Sequence, residues 1–183
     1  MKGFMMSNKK YEFVDGDTIE HNGITLKRIR AIVAIGLTVS AGDLGGYIQS
    51  EENLSRMDDS WVYGDARVFG DARVFGDARV SCDARVSCDA WVFGNARVSG
   101  DAWVSCDAWV ENDKSIFWAT KVGKNNDTLT AFKNKDGKIT LVHGCFFGSI
   151  SEFKALLEEN HSERTKREYK LLIKVAKSRI LGE

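Results

Sequence analysis

From Asp59 to Asn112 the chain reads DSWVYG DARVFG DARVFG DARVSC DARVSC DAWVFG NARVSG DAWVSC DAWVEN, nine consecutive units of six residues. Each unit places Asp or Asn first, a small residue second, Arg or Trp third, Val fourth, and Gly or Cys last in most copies. A period of six does not fit a helix. Within a unit the residues alternate: Ala66 inward, Arg67 outward, Val68 inward, Phe69 outward, and then Gly70 and Asp71 turn the chain. A short strand and a sharp corner every six residues give three sides per coil of about 18 residues, the pattern of a parallel β-helix. Val packs the interior, Ala fits the narrow corner, and Gly supplies the backbone freedom of the turn. Asp is expected to hydrogen-bond its own turn. A degenerate tenth unit, DKSIFW, keeps Ile116 at the Val position, and Ile48 and Leu54 are also six apart, so winding is expected to begin near Gly45.

Residues one coil apart should stack at about 4.8 Å. This sorts the outward positions into three faces. Face one carries Trp61, Arg79 and Arg97; face two carries Arg67, Arg85 and Trp103; face three carries Arg73, Trp91 and Trp109 with Phe75 and Phe93. Face three is anomalous, because contiguous aromatic surface of this kind marks an interface. Either a second subunit or the chain's own C-terminal helices should cover it. Arg67, Arg79, Arg85 and Arg97, with Trp103 for stacking, could hold an anion, or each guanidinium could pair with a neighbouring Asp. The corner Asp columns are read as turn caps rather than a calcium ladder, and Cys88 and Cys106 as small turn residues in place of Gly.

The flanks read differently. Tyr11–Val14 and Ile24–Ile32 look like strands joined by Asn22-Gly23, a strong hairpin signal, and such a hairpin would cap the open first coil. After the coils, 115–122, 128–132 and 139–142 read as a β-meander. Ser149 to Glu152 forms a capping box for one helix. Ser162 opens a second, with Tyr169, Leu172, Val175 and Ile180 on one side. The expected architecture is thus mainly β: a parallel β-helix over 44–118, an N-terminal β-hairpin cap over 1–43, and a β-meander plus two α-helices over 119–183.

Composition bounds the function. Apolar residues make up 43% of the 183, enough for a real core, and the formal charge is zero, which argues against a general nucleic-acid binder. Residues 51–112 carry six Arg against twelve acidic groups, while 113–148 is net +3 and 149–183 net +2, so a basic flank could dock on acidic coils. No apolar run spans a membrane, and the stretch before Ser7, Asn8, Lys9 and Lys10 is too short for a secretory signal, so a cytoplasmic protein is expected. Cys82, Cys88, Cys106 and Cys145 lack the paired spacing of a structural zinc site.

The spacing V-x-[GC]-[DN]-A-x over roughly 44–118 resembles the hexapeptide-repeat family of acyltransferases and γ-class carbonic anhydrases. That resemblance implies a left-handed β-helix and commonly a homotrimer. Ile24-Thr-Leu-Lys-Arg-Ile-Arg-Ala, Ala41-Gly-Asp-Leu-Gly-Gly-Tyr-Ile and Asn53-Leu-Ser, followed by WVYGDARV, look like a family of uncharacterised hexapeptide-repeat proteins of enterobacteria, tailed phages and prophages. Gly144-Cys-Phe-Phe-Gly-Ser-Ile-Ser-Glu-Phe resembles a C-terminal module of phage proteins. This implies a bacterial or phage protein, working in the host cytoplasm if phage-encoded, and brings no established activity. The acyltransferases generally use a coil-borne or loop-borne His and a substrate loop, and the γ-carbonic anhydrases three zinc-binding His. Here His21, His143 and His161 all lie outside the coils, and no loop interrupts the nine units. No catalytic residue, metal site or cofactor is assigned.

A non-enzymatic scaffold is therefore expected. It would be a homotrimer contacting through Phe75, Trp91, Phe93, Trp109 and Arg73, and binding a host protein partner, in a counter-defence role if of phage origin. The alternatives are a sponge for an anionic small molecule or nucleotide held between subunits by Arg67, Arg79, Arg85, Arg97 and Trp103, and an atypical acyltransferase.

Overall fold

The structure, a computed structural model, describes residues 9–160 and 162–183. The N-terminal stretch weighed for a secretory signal, apart from Lys9 and Lys10, and His161 lie outside the described residues. Strands β1 (Tyr11–His21), β2 (Ile24–Ala31) and β3 (Leu44–Ile48) come first. Nine two-residue strands follow, one for each repeat: β4 (Trp61–Val62), β5 (Arg67–Val68), β6 (Arg73–Val74), β7 (Arg79–Val80), β8 (Arg85–Val86), β9 (Trp91–Val92), β10 (Arg97–Val98), β11 (Trp103–Val104) and β12 (Trp109–Val110). Then come β13 (Ile116–Val122), β14 (Asp127–Lys133), β15 (Ile139–His143), β16 (Phe146–Ser149), α1 (Ile150–Asn160) and α2 (Glu163–Leu181).

The repeats wind into a β-solenoid of about four turns. Its three sides are the parallel stacks β3-β5-β8-β11, β4-β7-β10 and β6-β9-β12. Arg67 pairs with Arg85 and Arg85 with Trp103, so the 18-residue coil holds through the regular part. Every repeat Val and every Ala from Ala66 to Ala108 is at most 1% exposed. Five corners among the described residues close on the backbone, those at Ala66, Ala84, Ala90, Ala96 and Ala102, as in Ala84 N–H to Ser81 O (3.3 Å) and Ala90 N–H to Ser87 O (3.3 Å). Cys82, Cys88 and Cys106 sit at φ +60°, +54° and +54°, the left-handed conformation that Gly occupies in sister units. The expected Asp caps do not form. Among the described residues, no Asp side chain from Asp71 to Asp107 bonds a turn, and Asp65 accepts instead from Arg28 (3.2 Å). Where the turn is closed by its own N–H and C=O, as at Ala84 and Ala90, the carboxylate is left free to stay in water.

The first coil departs from the period. Tyr47 pairs with Arg67, two residues further along than the repeat predicts, and Leu54 bridges Val74 with the same offset, so the extra residues lie in the loop between Leu54 and Trp61, after a 3-10 turn at Glu51–Asn53. Asn53 stands in for ladder backbone there. Its amide donates to Gly70 O and Ala72 O, both at 2.9 Å, and its Oδ1 accepts from Ser50 N–H (2.9 Å).

The hairpin turns at Asn22 and Gly23, both with positive φ, and β2 runs antiparallel to β3, so the hairpin extends the sheet of face two below the first coil. Tyr11, Ile29 and Ala31 join the valine core and close its lower end. Trp61, expected on an outward face, is only 1% exposed. As part of the lowest strand on its side it has no coil beneath it, and it packs edge-on to Tyr11 (ring centroids 6.2 Å). Phe69, also expected outward, is buried with Leu26 and Tyr47 under the hairpin. Arg28 clamps the hairpin to the coil, donating to Gly45 O (2.8 Å) and to the Tyr47 hydroxyl (2.7 Å), with Asp17 at 2.9 Å from its Nε.

The upper end is closed by the meander. It has four strands, β13-β14-β15-β16, one more than the sequence suggested. Alternation along β14 and β15 sends Phe132 and Val142 into the valine core and Leu129, Ala131, Ile139 and Leu141 toward the helices. Ile116, the degenerate Val position, does point into the coil core, but as the first residue of β13. The expected electrostatic docking is not what joins flank to coil. Contacts run through Lys135 N–H to Asp107 O (3.0 Å) and Trp103 N–H to the Thr130 hydroxyl (3.1 Å), and no described Lys or Arg of 113–183 pairs with a coil acid. Both helix caps form as expected, with Ser149 N–H to Glu152 Oε2 (2.7 Å) and Thr165 N–H to Ser162 Oγ (3.3 Å). On α2 the buried face is Tyr169, Ile173 and Ala176; Val175, expected inward, is 46% exposed.

Candidate functional site

Face three is an aromatic ladder. Phe75 stacks on Phe93 (5.0 Å, 9°) and Trp91 on Trp109 (5.1 Å, 19°). The two columns interlock edge-on, Phe75 with Trp91 at 5.6 Å and Phe93 with Trp109 at 5.0 Å, and the Arg73 guanidinium lies 5.9 Å from the Trp91 ring. The ladder follows from the sequence. Aromatic residues at one position of one side recur every coil, and the strand spacing brings their rings to stacking distance. The helices do not cover it. Phe153 and Leu157 of α1 and Tyr169, Ile173 and Ala176 of α2 are buried against the meander. The four rings are half-buried.

On face two, Arg67 donates to His21 Nδ1 (3.4 Å), and His21 packs edge-on to Phe69 (5.0 Å). The Arg85 guanidinium lies 5.9 Å from the Trp103 ring, and Trp103 Nε1–H donates to Ser87 Oγ (3.2 Å). On face one, Arg79 and Arg97 stack in register. The expected Arg–Asp pairing does not occur, since among the described residues none of Arg67, Arg73, Arg79, Arg85 and Arg97 forms an ion pair. The anion-binding set is divided between two faces, so no single site within one chain unites it.

Partial burial and the nearby Arg85 and Arg67 charges push the His21 pKa below its ordinary 6.5. The folded protein therefore refuses a proton that the unfolded chain accepts. Its stability is held above pH 6.5 and falls as the pH drops through that value. Urea midpoints at a series of pH values should show this acid-side loss shrinking in His21→Gln.

His143 ends β15. Its Nε2 lies 2.8 Å from the Tyr169 hydroxyl and its ring packs on Phe153, whereas Cys145 is exposed. Burial, with Glu168 and Asp127 nearby, pushes the Tyr169 pKa to about 12. Cys106 is also raised, by burial and by the neighbouring Cys88 thiol. Among the described residues no group of three or more His, Cys, Asp or Glu is placed to hold a metal ion, and no helix is long and apolar enough to cross a membrane.

A groove lies where the last coil meets the meander and α2. Arg97, Ser99, Asp113, Phe117, Trp118 and Arg179 line this open groove of about 440 Å³ at the top of face one. Trp118 ends the degenerate repeat DKSIFW, and Arg179 lies on α2, far along the chain. Only the meander's fold brings them together, and no local signal announces it.

The backbone defines the class: a β-solenoid protein capped at both ends, with one uncovered aromatic side. Residues 90–105 match the family profile described as the YdcK beta solenoid repeat. Among curated proteins none matches the chain.

Proposed function

We propose that the chain is a non-enzymatic scaffold that assembles with copies of itself through face three and presents the assembly to a protein partner. The carrying observation is the ladder of Phe75, Phe93, Trp91 and Trp109 on a flat side that no other part of the described chain covers. Burying a few hundred Å² of such surface at about 25 cal/mol per Å² contributes several kcal/mol per subunit before ordering costs. A three-sided prism suits a threefold assembly, which the hexapeptide-repeat resemblance also implies. That resemblance further suggests a phage or enterobacterial origin and a host protein, in a counter-defence role, as the partner.

A second function, capture of an anionic small molecule between subunits, is favoured by the repeat guanidiniums that lack acidic partners.

The test is the solution mass of the wild type and of the Trp91→Glu/Trp109→Glu double variant at tens of micromolar. A trimer that the double variant reduces to monomer is expected. A monomeric wild type overturns the assembly, and a trimer that survives the double variant moves it to another face.

A further inference from the structure

We propose that the groove at the top of face one is a binding site for a small molecule that joins a planar ring to an anionic group. Three observations converge there. First, the groove holds two guanidiniums, Arg97 and Arg179, that form no ion pair among the described residues, against one carboxylate, Asp113. Its lining is thus net positive although the solenoid as a whole is acidic.

Second, the backbone is open. One coil lower, the Arg79 and Ser81 N–H groups donate upward to Ala96 O and Val98 O, both at 2.9 Å. Their equivalents, Arg97 on β10 and Ser99 just after it, have no coil above them. The meander satisfies the top of face two through Thr130 but leaves β10 an edge strand, paired with β7 alone. Two N–H donors on the same edge, two residues apart, therefore have no acceptor among the described residues. Edge donors beside unpaired guanidiniums suit a phosphate or carboxylate.

Third, the groove has an aromatic wall. Trp118 lies across the backbone of Gly100, where a Cβ would come within 3.1 Å of the indole nitrogen, and Phe117 stands beside it. The residue at 100 has to be small for the indole to rest there. An indole wall next to cationic and N–H donors recognises a ring and its attached anion together. The volume of about 440 Å³ falls within the range of ligand clefts.

A nucleotide and an aromatic carboxylate share this chemistry, and the experiment separates them. Titrate the full chain by calorimetry with adenosine 5′-monophosphate, indole-3-acetate, adenosine and inorganic phosphate. Saturable binding below millimolar is expected for at least one of the two ring-bearing anions, with adenosine and phosphate alone each about tenfold weaker or worse. If only the monophosphate binds, the ligand is of the nucleotide kind; if only the acetate binds, it is a carboxylate. Arg97→Gln and Arg179→Gln should each weaken binding about tenfold. Both side chains are exposed, so an unchanged thermal midpoint shows that the variants fold. Trp118→Leu should also weaken the ring-bearing probe while leaving phosphate unaffected. Absence of saturable binding by either ring-bearing probe overturns the site. So does binding that the arginine variants leave unchanged, or phosphate binding as tight as that of the monophosphate. The site lies within one chain, so its failure leaves the assembly untouched, and a monomeric wild type leaves the site in place.

Discussion

Val86→Asp should abolish cooperative folding at neutral pH. Val86 is 0% exposed, in register with Val68 below and Val104 above, and surrounded by other repeat Val and Ala side chains. The interior offers no donor to a carboxylate, and leaving one charged there is too costly for a fold of ordinary stability. The carboxyl instead takes up a proton, and even the neutral form costs about 4 kcal/mol in lost packing and unmet hydrogen bonds. The pH response identifies the cause. A buried Asp has a folded-state pKa above its unfolded value, so the variant's stability is fullest below the unfolded pKa and is lost as pH rises through the folded one. Urea unfolding should therefore show Val86→Asp recovering toward pH 5, whereas Val86→Thr, with one hydroxyl to bury, loses only about 1–2 kcal/mol at every pH. A variant as stable as the wild type at pH 8 would mean that position 86 faces solvent.

The middle of the solenoid was legible because every coil meets a copy of itself. Val80, Val86 and Val92 each lie between one valine a coil below and another a coil above, so the period alone dictates which way each points. The ends lack that symmetry. Trp61 has the same place in its unit as Arg79, but with no coil below, its ring turns under the stack instead of out to water. Phe69 shares a position with Ser87, yet a hairpin that period six could not locate lies over it. The upper edge behaves likewise, since whether β10 is paired depends on where the meander docks. The groove built from Trp118 and Arg179 was therefore invisible, while the aromatic ladder, made of residues one coil apart, was not. The Arg–Asp pairing failed for a local reason. Side-chain direction at a corner depends on the turn's dihedrals, and opposite charges close in sequence need not point toward one another.

The lower closure carries the second large effect. Gly46 in β3 does not owe its glycine to an unusual φ; it owes it to space. A Cβ there would sit 2.5 Å from Ala66 O and 2.6 Å from Val62 Cγ1, and at Gly45 2.7 Å from Val62 O and 2.8 Å from the Trp61 ring. Two of these neighbours are backbone carbonyls. Gly46 lies beside Tyr47, whose N–H bonds Ala66 O at 2.9 Å, so relieving the clash pulls β3 away from β5. Neither carbonyl can rotate aside as a flexible side chain would. Gly46→Ala should cost about 3 kcal/mol, the upper part of the range for forcing a group into a filled core. Gly46→Val should prevent the first coil from closing and expose Tyr11 and Trp61. Gly16→Ala is the control. Gly16 has φ +77° and open space around it, so that change carries dihedral strain alone, about 1 kcal/mol. Chemical denaturation of the three variants should rank Gly16→Ala as the mildest and Gly46→Val as the most severe. The Gly46 variants should also lose hydrogen-exchange protection first at Tyr47 and Gln49, whose N–H groups bond the second coil, while Arg85 and Ser87 keep theirs. Equal costs for Gly16→Ala and Gly46→Ala would mean that close approach of β3 to the coil does not close the solenoid.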